Sequence, residues 1–240
     1  ISVTPVGVHT DFIDTRARSE DTAEQAAAIR EELGDGRLIL SVGRTDYTKG
    51  GIEQLLAFER LLDARPDLRG QLRLLHVSVS ANRGMAAYEA IQAEIEQTAG
   101  RINGRFGRLD WQPVALMSRA IPFDRLVAYY QTCDVAWITP LADGMNLVCK
   151  EFVASRIDGD GVLVLSEFAG AAVELSDAVF TNPFSHRSMD RSISEALGMP
   201  EAERRRRMAR LRAAVAENDV RTWTPGRLSL PRTVRDVDAA

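Results

Sequence analysis

Cysteine, histidine and long apolar runs are scarce in this chain, and each scarcity narrows what it can do. Its 240 residues include only two cysteines and three histidines. Cys133 and Cys149 lack the spacing of a zinc site, and His9, His76 and His186 are isolated from one another and from any triad pattern. His76 falls on an apolar run and reads as a core or strand-end residue. No apolar stretch approaches the ~18 residues needed to cross a bilayer, and no signal-peptide pattern opens the chain. With both thiols read as reduced core residues, a cytoplasmic protein is expected. Positive charge has no surplus either: 30 Lys and Arg stand against 34 Asp and Glu, for a net charge of −4. The surface as a whole therefore does not attract nucleic acid or anionic membrane, and any phosphate binding must be local. The basic run Arg204–Arg207 does not change this. Glu201 and Glu203 neutralise it, and Met208, Leu211 and Val215 make it the solvated face of an amphipathic helix.

What is present is the composition of a globular chain, 45% hydrophobic and 27% charged, with enough mass for a sizeable core. Strand-like and helix-like segments alternate along it. Residues 1–8, 38–42, 72–79, 113–117, 135–139, 162–166 and 178–181 read as strands. Residues 21–33, 52–62, 85–99, 123–131, 147–156, 170–175, 189–197 and 201–218 read as helices. Continuous Val/Ile/Leu strands separated by helices predict an α/β fold, a doubly wound parallel sheet covered on both faces. Ligands in such sheets bind beyond the carboxyl ends of the strands. Residues 1–223 are expected to form one domain and 224–240 a tail. Because the chain begins inside a strand-like run, it reads as the C-terminal part of a longer polypeptide.

Two constellations sit at strand ends. After residues 38–42 comes Gly43-Arg44-Thr45-Asp46-Tyr47-Thr48-Lys49-Gly50-Gly51, where a guanidinium fork and an ammonium flank a glycine-bounded loop. Such a pair suits a diphosphate; solvated loop cations are the plain alternative. Asp46 and Tyr47 are expected to shape the Arg44 loop, with a carboxylate pairing to Arg44 or Lys49. After residues 135–139 comes Asp143-Gly144-Met145-Asn146-Leu147-Val148-Cys149-Lys150-Glu151, a loop turning into a helix whose open amino end favours an anion. Asp143 is the expected N-cap, and a capping role alone would explain it. Glu151 lies further along that helix, within reach of a ribose diol.

These two stretches, together with Gly100-Arg101-Ile102-Asn103-Gly104-Arg105-Phe106-Gly107 and residues 162–174, resemble the signatures of the trehalose-6-phosphate synthase family of retaining glycosyltransferases. The resemblance runs from about residue 5 to residue 223 and implies the C-terminal, Rossmann-like donor half of a GT-B fold, the acceptor half being absent. It implies that Arg44 and Lys49 hold the donor diphosphate and act in catalysis. It further implies that Asp143, Gly144, Met145 and Asn146 hold the transferred ring, Leu147 and Val148 the phosphates, and Glu151 the ribose. The expected partners are a nucleotide-activated sugar or cyclitol, with GDP favoured as the nucleotide, a phosphorylated acceptor and the missing N-terminal domain. No cofactor and no metal is expected. Asn82 aligns where the family carries an Arg for the acceptor phosphate, and Arg83 is the replacement candidate. That loop, with Leu109-Asp110-Trp111 and residues 137–141, looks closer to the branch holding glucosylglycerol-phosphate synthase and validoxylamine A 7′-phosphate synthase. The second of these, a pseudoglycosyltransferase of antibiotic biosynthesis, is the closer expectation. A nucleotide-sugar-binding regulatory subunit without turnover is the alternative of a different class.

Overall fold

The computed structural model describes residues 6–79 and 86–221. The chain runs α1 (Thr10–Ala17), α2 (Glu20–Leu33), β1 (Arg37–Arg44), α3 (Gly51–Ala64), β2 (Leu72–Val79), α4 (Ala86–Phe106), β3 (Val114–Met117), α5 (Phe123–Thr132), β4 (Val135–Ile138), α6 (Leu147–Ser155), β5 (Val162–Ser166), β6 (Val179–Thr181), α7 (His186–Gly198) and α8 (Glu201–Glu217). Short 3-10 turns occupy Pro66–Leu68 and Gly170–Val173. The strands form one sheet in the order β3-β2-β1-β4-β5-β6, and every pairing is parallel. Parallel neighbours need crossovers, which the helices supply, and so both faces are covered.

Alternation along the strands divides the core into two layers. Leu38, Leu40, Ala136, Ile138, Leu163 and Leu165 pack with residues of α1, α2, α5, α6 and α8. Their neighbours Ile39, Val135, Trp137, Val162 and Val164 pack with α3, α4 and α7. The period-2 reversal of side chains explains why these strands read as unbroken apolar runs: each face has its own layer to fill.

Two elements differ from the sequence expectation. Residues 6–9 carry no strand; Val8 is buried, and its carbonyl accepts from Val220 N–H. Helix α1 follows at once, capped by His9, whose Nδ1 accepts from Phe12 N–H at 3.1 Å. Helix α4 runs on to Phe106 rather than stopping at residue 99. Gly100 and Gly104 look like breakers, but Ile102 and Phe106 continue the buried stripe of Ile95 and Ala99. The Gly100–Gly107 signature is thus a structural brace. Asn103 holds both main-chain groups of Val114 at 2.9 Å, and Arg101 and Arg105 pair with Glu59, a side chain buried on α3.

Candidate functional site

Strand order reverses between β1 and β4, since β1 leads outward through β2 and β3 while β4 leads the other way. Loops leaving the carboxyl ends of two such strands diverge and leave a crevice. Here the two loops are the Arg44–Gly50 and 139–146 segments, and between them lies a cavity of about 420 Å³. Arg44, Lys49, Asp143, Met145, Asn146, Leu147 and Val148 all line it.

The loops are fastened to each other. Thr48 carbonyl accepts from Leu141 N–H at 2.7 Å, and Lys49 Nζ donates to Asp143 Oδ2 at 2.7 Å. Gly50 permits this closeness: its φ is +69°, and a Cβ there would lie 2.4 Å from the Thr139 carbonyl oxygen. On the far side Gly170 N–H donates to Asp143 carbonyl at 2.9 Å. A Cβ at Gly170 would strike the Gly144 carbonyl at 2.1 Å, so the loop after β5 also presses against the site.

Asp143 is not the cap of α6, contrary to the sequence expectation. Asn146 is, its side chain accepting from Cys149 N–H at 3.1 Å. Asn146 is the one non-glycine with positive φ among the described residues, at 76°. Two hydrogen bonds offset that strained backbone, the second running from its Nδ2 to Asp143 Oδ2 at 3.1 Å. Because Asn146 serves Cys149, the amides of Leu147 and Val148 remain the open donors of the helix, and both residues line the cavity. Asp143 instead collects donors, from Lys49, Asn146 and, at 3.2 Å, the Met145 N–H. Burial pushes its acid upward, but these hydrogen bonds and the Lys49 charge outweigh that and hold it below the usual carboxylate range.

Asp46 shapes its loop as expected, but the carboxylate that pairs with Lys49 is that of Asp143. Asp46 Oδ1 accepts from Thr48 N–H at 2.8 Å and Thr48 Oγ1 at 2.9 Å, shaping the turn. Burial raises its acid, yet these bonds and the charges of Lys49 and Arg44 leave it net lowered. Arg44 is exposed and has no ion pair among the described residues, so its fork is open.

Gly144 and Glu151 do not line the cavity. Gly144 is spent on the contact with Gly170, and the Glu151 carboxylate accepts from Tyr130 Oη at 3.2 Å. Asn82 and Arg83 lie outside the described residues, as do the expected strand's first residues and the tail. Sequence reasoning missed His76 as a wall of the cavity. It is 3% exposed, its Nδ1 has no partner, and burial pulls its pKa down to about 4. Trp111 and Trp137 are buried in the core, and Trp137 also backs the cavity. Among the described residues, no group of three or more His, Cys, Asp or Glu could hold a metal ion. None of the described helices is long and apolar enough to cross a membrane.

An all-parallel sheet with cations and an open helix terminus gathered at its switch point defines a doubly wound, Rossmann-like α/β domain with a crevice suited to an anion. The chain belongs to glycosyltransferase family 20, whose family model matches residues 1–229. It is 47% identical over 219 residues to a glucosylglycerol-phosphate synthase of Picosynechococcus sp., covering 91% of this chain and 44% of that protein. To a trehalose-6-phosphate synthase of Klebsiella pneumoniae it is 39% identical over 222 residues, covering 92% and 47%. Among solved structures, a UDP-forming trehalose-phosphate synthase from Burkholderia xenovorans in complex with glucose-6-phosphate superposes with a TM-score of 0.90 at 38% identity, covering 95% of this chain and 50% of that one. An E. coli structure bound with UDP-2-fluoro glucose gives 0.90 at 36% identity, covering 95% and 51%. The chain therefore spans about half the length of the relatives it matches.

Proposed function

We propose that this chain is the donor-nucleotide half of a retaining glycosyltransferase that moves a hexosyl group from a nucleotide diphosphate to a phosphorylated acceptor. The observation that carries this is the meeting of Arg44, Lys49, Asp143 and the amino end of α6 around one cavity. In the proposed reaction the donor's C1–O bond breaks, and charge builds on the departing diphosphate. Arg44, Lys49 and the Leu147 and Val148 amides stabilise that charge; one such preorganised donor is worth roughly 10²–10³ in rate. The acceptor hydroxyl attacks C1 on the face the diphosphate leaves, and its proton passes to the departing phosphate oxygen. Atoms balance as glycoside plus nucleoside diphosphate, with retention and no covalent enzyme intermediate. Asp143 and the Met145 and Asn146 backbone are assigned to the transferred ring, and Glu151 to the ribose.

Similarity supports an acceptor of the glyceryl phosphate kind, since 47% identity to glucosylglycerol-phosphate synthase exceeds the 39% to trehalose-6-phosphate synthase. The pseudoglycosyl expectation, which rests on the loop holding Asn82 and Arg83 together with Leu109-Asp110-Trp111 and residues 137–141, is the second reading. For the nucleotide we propose UDP rather than the GDP expected from sequence, because the solved relatives name UDP. Calorimetry of the chain with UDP, GDP and ADP tests the donor site. Product analysis of the full-length protein with glyceryl phosphate, glucose-6-phosphate and an aminocyclitol phosphate tests the acceptor. Absence of binding to all three nucleotides overturns the reading and leaves the non-catalytic alternative without its ligand as well.

A further inference from the structure

Glu151 stands one turn beyond Leu147 on α6, on the same side of the helix and behind the residues that line the cavity. Its carboxylate is held at one oxygen. Tyr130, rooted in α5 and 0% exposed, donates its hydroxyl to Glu151 Oε2 at 3.2 Å. Tyr130 is itself immobilised at both ends. Its ring lies edge-on to Phe152, with centroids 6.2 Å apart and planes at 72°. Its main-chain carbonyl accepts from the buried Arg156 Nη1 at 3.1 Å and from Cys133 Sγ at 3.6 Å. A phenol held in this way is a fixed donor, and a carboxylate has about four acceptor sites. One is taken at Oε2, which leaves Oε1 free to face a ligand.

We propose that Tyr130 is a positioning residue for the donor nucleotide: by holding one oxygen of Glu151 it sets the other for the vicinal hydroxyls of the ribose. This rests on the assignment of Glu151 to the ribose made above. Burial raises the Glu151 acid, and the Tyr130 hydrogen bond opposes that rise, favouring the ionised form that accepts from a diol. Removing the phenol oxygen thus loosens the carboxylate and makes it easier to protonate, while the ring packing on Phe152 is kept.

The test compares Kd for UDP and 2′,3′-dideoxy-UDP in the full chain, for the wild type, Tyr130→Phe and Glu151→Gln. The wild type is expected to prefer UDP by about tenfold, the ratio that the net worth of about one hydrogen bond supplies. Tyr130→Phe is expected to shrink that ratio at least threefold while leaving dideoxy-UDP affinity unchanged, and to move the acid limb of UDP binding to higher pH. A purely structural hydroxyl would weaken both ligands alike and leave the limb in place. An unchanged ratio in Tyr130→Phe, with discrimination intact in the wild type and lost in Glu151→Gln, overturns the role of Tyr130 alone. No discrimination in the wild type overturns the ribose assignment, and the positioning role falls with it. Should Tyr130→Phe fold poorly, a ring-fluorinated tyrosine at 130 changes donor strength without losing packing, and the same ratio is read.

Discussion

Lys49 and Asp143 are 94 residues apart in the chain and 2.7 Å apart in space. Each belongs to a different strand-end loop, and their ion pair closes the crevice where the sheet's winding reverses. Their side chains are 22% and 16% exposed, so the pair is only partly screened by water. The same two groups are those assigned to the diphosphate and the transferred ring. Each side chain is therefore the other's counter-ion.

A double-mutant cycle of Lys49→Ala and Asp143→Ala should give a coupling of about 1–2 kcal/mol in denaturant unfolding. The sign with pH follows from the depressed acid of Asp143. Its contribution is complete above the unfolded value of about 3.9 and is lost as pH falls through the folded value. Coupling that persists undiminished well below that range would show that the two side chains do not pair in solution.

Arg44→Ala should lower turnover of the full-length enzyme at least tenfold while shifting Tm by no more than about 2 °C, since an exposed side chain without an ion pair contributes little to folding. Lys49→Ala should lower turnover as much but also destabilise, because Asp143 loses its partner. Wild-type turnover in both variants would remove the diphosphate assignment.

Gly50→Ala should be among the most damaging single-methyl additions in the molecule. It meets a positive φ and a carbonyl oxygen 2.4 Å from the new Cβ, so the two loops must part. A loss of about 2–4 kcal/mol is expected, read as a fall in Tm of about 5 °C or more, together with weaker nucleotide binding.

Lys150 is 0% exposed and gives its three protons to both oxygens of Glu174 and to the Val6 carbonyl. Lys150→Met alone should cost about 3–5 kcal/mol by stranding the Glu174 charge. The double change Lys150→Met with Glu174→Leu should recover most of that loss in thermal unfolding. Equal stability of the single and double variants would show that the pair is not coupled.

His76 supplies a pH signature. Its folded pKa of about 4 lies below the unfolded value of about 6.5. The unfolded chain therefore binds the extra proton, and stability falls as pH drops from about 6.5 to 4, by about 3 kcal/mol in all. His76→Leu should flatten that part of the stability profile; an unchanged slope would assign it to other groups.

Much of the fold was legible because a two-sided sheet imposes continuous apolar strands, and β2 and β5 were bounded to the residue. What escaped depended on partners distant in sequence. Helix α1 is short and starts from a histidine cap, a residue type that is not a standard start signal. The last turns of α4, beyond residue 99, escaped because the buried stripe through Ile102 and Phe106 becomes evident only when α3 and β3 are in place. At the site, Arg44, Lys49 and the DGMN loop could be picked out by residue type. The Asn146 cap could not be separated from Asp143, since both residues are good caps and only the 76° φ of Asn146 decides between them. His76 gave no local signal, because its place in the cavity wall follows from the register of β2 beside β1.

The bond from Lys150 to the Val6 carbonyl has a mechanical corollary. Val6 precedes α1, whereas Lys150 is rooted in α6 immediately before Glu151. A pull on the backbone at Val6 is thus delivered across the ammonium group to the base of the helix that carries Leu147 and Val148. The segment before α1 and the helix at the crevice thus share one buried tether, the Lys150 ammonium.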